Sequence, residues 1–146
     1  MDDSDRKILK LLQENARTSL KTIAEKTFLS SPAVSSRIER MEREGIILGY
    51  EAQVDPIKLG YHILAFINLN VLPEDKPKFY AYANGVPNIL ECSCVTGDYS
   101  MLMKVAFPST RELDIFVGQL QTYGKTSTQI VFSTHVGPRG VDVDSQ

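Results

Sequence analysis

LSSPAVSSRIERMEREG, at residues 29–45, contains the signals for the start and the end of one helix. Ser30 or Ser31 offers an N-cap. Pro32 suits the first turn, because backbone N–H groups there have no acceptor within the helix and the N–H that proline lacks is not missed. Gly45 suits the C-terminal stop, since glycine adopts the left-handed conformation that ends many helices. The stretch therefore predicts a helix that starts at one of the two serines and stops before Gly45.

The two faces of this predicted helix differ in chemistry. Val34, Ile38 and Met41 recur at i, i+4 and i+7 and predict a buried stripe. The other face carries small polar and charged side chains, namely Ser35, Ser36, Arg37, Glu39, Arg40 and Arg43. Such a face is typical of a helix that reads DNA, but a solvated surface helix can have the same pattern.

Two further helices are predicted upstream. Asp2 can cap a helix that carries an apolar stripe as far as Leu12, and Leu20–Thr27 fits a second, short helix. The tight connection at residues 28–30 joins that short helix to the next one, as in a helix-turn-helix unit. The pattern alone leaves two interpretations open, a DNA-binding unit or a plain αα-hairpin.

Downstream of Gly60 the pattern alternates between strands and helices. It predicts a strand at 62–72, a helix at 74–85, strands at 89–96 and 99–107, a helix opened by Ser109 and Glu112 as a capping box, and a strand at 128–136. The order β-α-β-β-α-β is that of the ferredoxin-like arrangement, which has both helices on one face of an antiparallel sheet. The fold class is therefore α+β.

Between the two patterns lies a linker. Residues 46–54 (IILGYEAQV) are β-prone, and Asp55-Pro56 and Gly60 interrupt the chain after them. We therefore expect a helix-turn-helix domain at 1–45, a strand-bearing linker at 46–60 and a C-terminal αβ domain at 61–146. The tail from Gly137 is polar and is expected to be a loose arm.

The composition is typical of a globular protein and argues against a membrane-spanning or secreted one. The 146 residues are 42% apolar and 23% charged with a net charge of -2, which is typical of a globular protein and gives no general sign of a nucleic-acid binder. No window reaches the roughly 18 apolar residues of a membrane-spanning helix, and the acidic N-terminus is unlike a signal peptide. We expect a cytoplasmic protein, with Cys92 and Cys94 as reduced packing residues.

The predicted sheet has apolar residues on both faces. In residues 63–71 and 127–136, apolar side chains occupy odd and even positions alike. Helices cover one face only, so the other face needs a cover, and a second copy of the sheet is the simplest one. We therefore expect a homodimer, with the linker folding back over the sheet as the alternative.

The order and spacing of several strings resemble the feast/famine transcription regulators of the Lrp/AsnC type over nearly the whole chain. These strings are DDSDRKILKLL (2–12), Ala16-Arg17, LSSPAVSSRIERMEREG (29–45) with ILGY (47–50), Asp55-Pro56 with LGY (59–61), and VTGDYSMLMKV (95–105). One departure is visible, because the family usually places Ser-Pro directly after the leucine and here Pro32 stands one residue later.

The resemblance implies a winged-helix-like helix-turn-helix that binds double-stranded DNA as a dimer, on a pseudo-palindromic operator. It also implies frequent assembly into octamers and regulation by small molecules, most often amino acids. The N-terminal part of the recognition helix is expected to reach base edges, and basic side chains to reach phosphates. The DNA-binding candidates are Ser31, Pro32, Ser35, Ser36, Arg37 and Arg40, with Arg17 or Lys21 on phosphate.

The effector site is expected at the hairpin turn of the αβ domain and at the start of its last strand. Backbone N–H groups of a glycine turn can hold a carboxylate, while an aspartate and threonine hydroxyls can bind an ammonium group. The candidates are Thr96, Gly97, Asp98, Tyr99, Ser100, Thr126 and Thr128, with Cys94 and Met101 shaping the pocket for the side chain. The alternative is that Gly97-Asp98 is only a hairpin turn.

Two rival functions remain in other classes. The siroheme decarboxylases resemble the same family, but the chain has only His62 and His135 as histidines, and Arg111 and Arg139 as arginines of its αβ domain. No catalytic motif, metal site or cofactor site is recognised, so we expect no enzyme. A stand-alone effector-binding or assembly module without DNA targets is the other alternative.

Overall fold

The computed structural model describes residues 1–144, and the chain divides into two units. The first, here called the head, consists of residues 1–53 together with the chain from Val136. The second, here called the body, is Val54–His135. The chain therefore enters the body from the head and afterwards returns to the head.

The head contains the three expected helices, α1 Asp3–Glu14, α2 Leu20–Thr27 and α3 Ser31–Arg43. Asp2 and Asp5 form a capping box at the start of α1, in which each side chain accepts a 2.9 Å bond from the backbone N–H of the other. Ser30 caps α3 by accepting a bond from the N–H of Ala33. The helix thus starts at Ser31, with Pro32 in its first turn.

The apolar stripes of the three helices meet in one core. Its buried members are Ile8, Leu9, Ile23, Ala24, Val34 and Met41. Ile38, which belongs to the predicted stripe of α3, is half-buried and packs on the rim of this core. All three apolar stripes pack in this core. The polar face of α3 is not part of the core.

The strand expected at residues 46–54 is not formed, and this prediction is wrong. The backbone there has no regular structure, and the segment that follows contains one short 3-10 turn at Ile57–Leu59. A β-prone run becomes a strand only when a neighbouring strand accepts its hydrogen bonds. Within residues 1–144 all strand pairs lie in the body sheet, so this run has no such neighbour.

The body has the predicted order of elements: β1 Ile63–Leu69, α4 Lys76–Asn84, β2 Ile89–Cys94, β3 Met101–Phe107, α5 Thr110–Leu120 and β4 Thr126–Ile130. Its four strands form one antiparallel sheet in the order β2-β3-β1-β4. The ferredoxin-like α+β arrangement is therefore confirmed. The last strand begins and ends earlier than the predicted 128–136, and α4 is preceded by a 3-10 turn at Pro73–Asp75.

The helix-covered face of the sheet holds the core of the body. Alternate residues of β1 and β3 are buried against α4 and α5, among them Ile67, Met101 and Met103. On the other face, register places Phe66 next to Lys104 and Gln129, and Phe66 keeps 36% of its surface exposed. This second face is called the open face below.

The C-terminal tail was expected to be a loose arm, and that expectation is wrong for its described part. Arg6 of α1 donates a 2.7 Å hydrogen bond to the carbonyl of Val143, and Lys10 pairs with Asp144 at 2.8 Å. The Val143 side chain packs at the edge of the head core. The sequence could not indicate this, because a short polar tail carries no periodicity that identifies what it packs against.

Cys92 and Cys94 are free and exposed, so their predicted role in packing is wrong. They lie on β2, an edge strand of the sheet that is exposed along most of its length. Among residues 1–144, no helix is both long and apolar enough to span a membrane.

Candidate DNA-binding surface and effector site

The exposed part of α3 begins with small residues. Pro32 and Ser36 are exposed, while Ser31 and Ser35 are partly exposed. The Ser35 hydroxyl donates a 3.0 Å bond to the Glu39 carboxylate one turn further on. The start of the helix therefore presents a surface without long side chains, which allows its backbone to come close to another molecule.

Arg37 and Arg40, both expected to contact DNA, form ion pairs with acidic groups at the start of α1. Arg40 Nη2 lies 2.8 Å from both carboxylate oxygens of Asp5, and Arg37 Nη1 lies 2.8 Å from Asp5 Oδ1. Arg37 Nη1 also donates to Asp2, at 2.7 and 2.9 Å from its two oxygens. These four residues are called the Asp–Arg cluster below.

The two acids of the Asp–Arg cluster differ in burial. The Asp5 side chain is 1% exposed, whereas that of Asp2 is 56% exposed. Burial alone would raise the pKa of Asp5, but bonds from Arg40, the Asp2 backbone N–H and Arg37 outweigh it and hold that pKa well below its usual range. Asp5 is therefore ionised at neutral pH, and its carboxylate links α3 to α1.

Among residues 1–144, the cations of α2 and of the preceding loop form no such ion pair. Arg17 and Lys21 are exposed, as are Lys26 in the last turn of α2 and Arg43 in the last turn of α3. Long, exposed cationic side chains are the groups that contact phosphates. Arg37 and Arg40 are therefore tied to acidic groups, whereas Arg17, Lys21, Lys26 and Arg43 are exposed.

Sequence reasoning missed Phe28, the residue of the tight turn between α2 and α3. Its φ is +57°, and it is the one non-glycine residue with positive φ among residues 1–144. Its side chain is 92% exposed. The left-handed conformation costs an ordinary residue about 1–2 kcal/mol. The missed signal was the lack of glycine or asparagine at a helix C-terminus that turns sharply.

In the body, the candidate effector residues gather at one end of the sheet. The turn that joins β2 to β3 contains Gly97, with φ +106°, and Asp98, both exposed. Register aligns Met101, Leu69 and Thr126 across β3, β1 and β4. β3, which follows the turn, and β4, which begins at Thr126, thus start at the same end of the sheet, and the two strands are about 10 Å apart because β1 lies between them.

The other candidates fall into two groups. Thr96, Cys94 and Thr128 are exposed, and Tyr99 is partly exposed. Ser100 instead holds the hairpin to the end of β1, since its hydroxyl accepts a 2.9 Å bond from the N–H of Val71. Met101 is fully buried in the helix-side core, so in this chain its side chain does not line the exposed turn.

Two family models match the chain and together span most of it. The one described as winged helix-turn-helix DNA-binding matches residues 1–47, and the one described as Lrp/AsnC ligand binding domain matches residues 64–141. The first match contains α1 to α3, and the second contains β2 to β4 and all of β1 except its first residue.

Among curated proteins, the chain is 34% identical over 134 residues to YezC, an uncharacterised helix-turn-helix transcriptional regulator of Bacillus subtilis. That match covers 92% of this chain and 95% of the relative. Among solved structures, LrpC of B. subtilis has a TM-score of 0.89 and 28% identity, over 94% of this chain and 99% of that one.

A third comparison includes a ligand. A transcriptional regulator of Neisseria meningitidis, solved as a complex with L-methionine, has a TM-score of 0.88 and 26% identity to this chain. The match covers 94% of this chain and 93% of that one.

Proposed function

Because this chain belongs to the Lrp/AsnC family of helix-turn-helix transcriptional regulators, we propose that its head binds an operator in cytoplasmic DNA while its body binds an amino acid. The chain is a sequence-specific DNA-binding regulator with an effector domain, and this function needs no catalytic group. The observation that carries the detailed proposal is the polar, small-residue face of α3, which the head core leaves outside.

The start of α3 is the part that we place in the major groove. Pro32 and Ser36 are exposed there, and their small side chains allow the helix to approach base edges closely. Ser31 and Ser35 contribute hydroxyls beside them. Arg37 keeps its bond to Asp5 and exchanges the exposed Asp2 for DNA, while Arg40 serves mainly to orient α3.

Lys21 and Arg17 are the phosphate contacts of this proposal. Lys21→Ala should weaken binding to the promoter of the chain's own gene and to unrelated DNA by similar factors, since phosphates carry no sequence information. The slope of log affinity against log salt should fall in magnitude by about 0.9 for each lysine lost from the DNA contact. Fluorescence anisotropy at several salt concentrations measures both quantities.

A matched control is Lys78→Ala, which removes an exposed lysine from α4 of the body. Its affinity and slope should equal those of the unmodified protein. An equal change in both variants would show that only net charge matters and would remove Lys21 from the interface.

We propose that two copies pair through the open face of the sheet. Phe66 lies there on a central strand, and Leu64 and Leu102 on the same face are partly buried. An apolar sheet face that a single chain leaves uncovered is typical of an interface between copies. A dimer would present two copies of α3 to two half-sites of a pseudo-palindromic operator, and dimers could assemble further into octamers.

We propose that the sheet end with the 96–99 turn binds the groups that all amino acids share. Backbone N–H groups around Gly97 suit the carboxylate, and the Asp98 carboxylate suits the ammonium group. Thr126 and Thr128 supply hydroxyls from a subunit that faces the turn. The methionine complex of a relative supports this ligand class.

Asp98→Asn should weaken amino-acid binding by about 10- to 100-fold, because it replaces a charged hydrogen bond with a neutral one. Thermal shift against the twenty amino acids, before and after the change, measures this as a loss of ligand-dependent stabilisation. Asp114→Asn, which changes an exposed acid of α5, is the matched control. If amino acids stabilise Asp98→Asn as much as the unmodified protein, Asp98 does not bind the effector and the turn is only a structural hairpin.

A further inference from the structure

The connection between α2 and α3 contains an unusual combination of backbone and side chain. Phe28 has φ +57° and a side chain that is 92% exposed, whereas its neighbours Thr27 and Leu29 are buried and half-buried. The ring therefore contributes almost nothing to the core of the head. A bulky residue at positive φ that is not required for packing suggests a role outside the fold.

The backbone of the turn explains why this conformation is needed. The N–H groups of Phe28 and Leu29 both point back to the carbonyl of Ala24, which ends α2 and turns the chain towards α3. Any residue at this position has to be left-handed, and glycine or asparagine would adopt that conformation at lower cost. The turn requires the backbone angle, but it does not require an aromatic ring.

The position of the ring relates it to the DNA-binding surface. Phe28 lies two residues before Ser30, the N-cap of α3, and two residues after the exposed Lys26. The N-terminal part of a recognition helix is the part that enters the major groove, so the residue of the preceding turn lies at the groove wall. Apolar contact with the thymine methyl group is one way in which phenylalanine reads DNA.

We propose that Phe28 is a DNA contact, with its ring packed against deoxyribose and thymine methyl groups beside the start of α3. This inference deepens the proposed DNA-binding function and rests on it. The strained backbone is retained because a ring at this position adds contact with the operator that glycine would not provide. Substitution by glycine should therefore raise stability and lower DNA affinity.

Phe28→Gly and Phe28→Ala distinguish the effect of the ring on DNA affinity from the effect of the left-handed backbone on stability. Both remove the ring, so each should lose about fivefold or more in affinity for the promoter fragment of the chain's own gene. Only glycine relieves the left-handed strain, so only Phe28→Gly should raise the melting temperature of the head, by about 2 to 6 °C. Phe28→Tyr keeps the ring and should retain affinity close to that of the unmodified protein.

Two DNA probes identify the surface that the ring contacts. The same promoter fragment made with deoxyuridine in place of thymidine lacks the thymine methyl groups. If the ring packs on a methyl group, the unmodified protein should lose affinity for this fragment while Phe28→Ala should lose little more. If the ring packs on deoxyribose alone, the fivefold effect of Phe28→Ala should be the same on both fragments.

The inference and the proposed function can fail separately. If the unmodified protein binds the promoter with a steep salt dependence but both ring deletions bind equally well, Phe28 is not a DNA contact and the inference is overturned. If the unmodified protein shows no salt-dependent binding, the proposed DNA-binding function is overturned and this inference with it.

Discussion

Asp5→Asn should lower the free energy of unfolding of the head by about 2 to 4 kcal/mol. The Asp5 carboxylate is buried, caps α1 and binds Arg37 and Arg40 together, so its neutralisation leaves two guanidinium groups without their shared counter-charge. Removal of one partner from a buried ion pair is among the more costly substitutions. The arginines are partly exposed and can regain water, which keeps the loss below the upper end for such pairs.

The same substitution should remove an acid-dependent part of the stability. Because the pKa of Asp5 is lowered in the folded head, its stabilising contribution is present above the unfolded pKa of about 3.9 and is lost as pH falls through the lower folded value. The unmodified head should lose stability below about pH 4. Asp5→Asn should lack this part of the pH dependence.

Urea unfolding followed by circular dichroism at pH 7 and at lower pH measures both effects. Asp3→Asn is the matched control, since Asp3 is an exposed acid in the same first turn of α1. That control should change stability by less than about 0.5 kcal/mol. If Asp5→Asn is no more harmful than Asp3→Asn, the Asp–Arg cluster does not hold α3 against α1.

Phe66→Glu should convert the proposed dimer into a monomer and weaken operator binding by about 30-fold or more. The residue lies on a central strand of the open face, so in a face-to-face dimer a glutamate would be buried near its own symmetry mate. Two like charges without partners in an apolar interface oppose association. A monomer has only one head, so it contacts only one of the two half-sites of the operator.

Light scattering gives the mass in solution, and anisotropy gives the affinity for the operator. Ile115→Glu is the control, because Ile115 is an exposed apolar residue of α5, which packs on the opposite, helix-covered face of the sheet. It should leave both the mass and the affinity unchanged. A Phe66→Glu variant that keeps the mass of the unmodified protein would rule out the open face as the dimer interface.

Some cations of the head form ion pairs with acids and others are exposed, and this difference affects how its DNA contacts are tested. Arg40 is tied to a buried acid, so Arg40→Ala would change the orientation of α3 as well as any DNA contact. Lys21 has no such tie, and its loss reports on DNA more directly. Effects on stability and on affinity therefore need to be measured together for every arginine of α3.

Most of the elements could be predicted because their signals are local. The caps at Ser30 and Ser109 and the apolar repeat of Val34 and Met41 each depend on neighbours within one or two turns. The order of strands and helices in the body followed from the same kind of signal. Short-range hydrogen bonds and periodic burial are properties that the sequence displays directly.

The predictions that were wrong depend on contacts between distant segments. The run at 46–54 has the composition of a strand but finds no strand beside it, and the tail near Val143 lies on α1, more than a hundred residues away in sequence. Met101 was expected to shape the effector pocket on the basis of the resemblance to related regulators. The strand alternation instead turns its side chain into the core.

The sequence by itself determined the helix-turn-helix, the split αβ body and the family, since caps, periodicity and motif spacing are written along the chain. Only the tertiary structure decided which cations face outward. A helical repeat puts Arg37 and Arg40 on the polar side of α3, but whether they meet Asp5 or solvent depends on how α1 crosses that side. It also showed Phe28 to be exposed and left-handed, because the angle of a turn is set by the two helices that it joins.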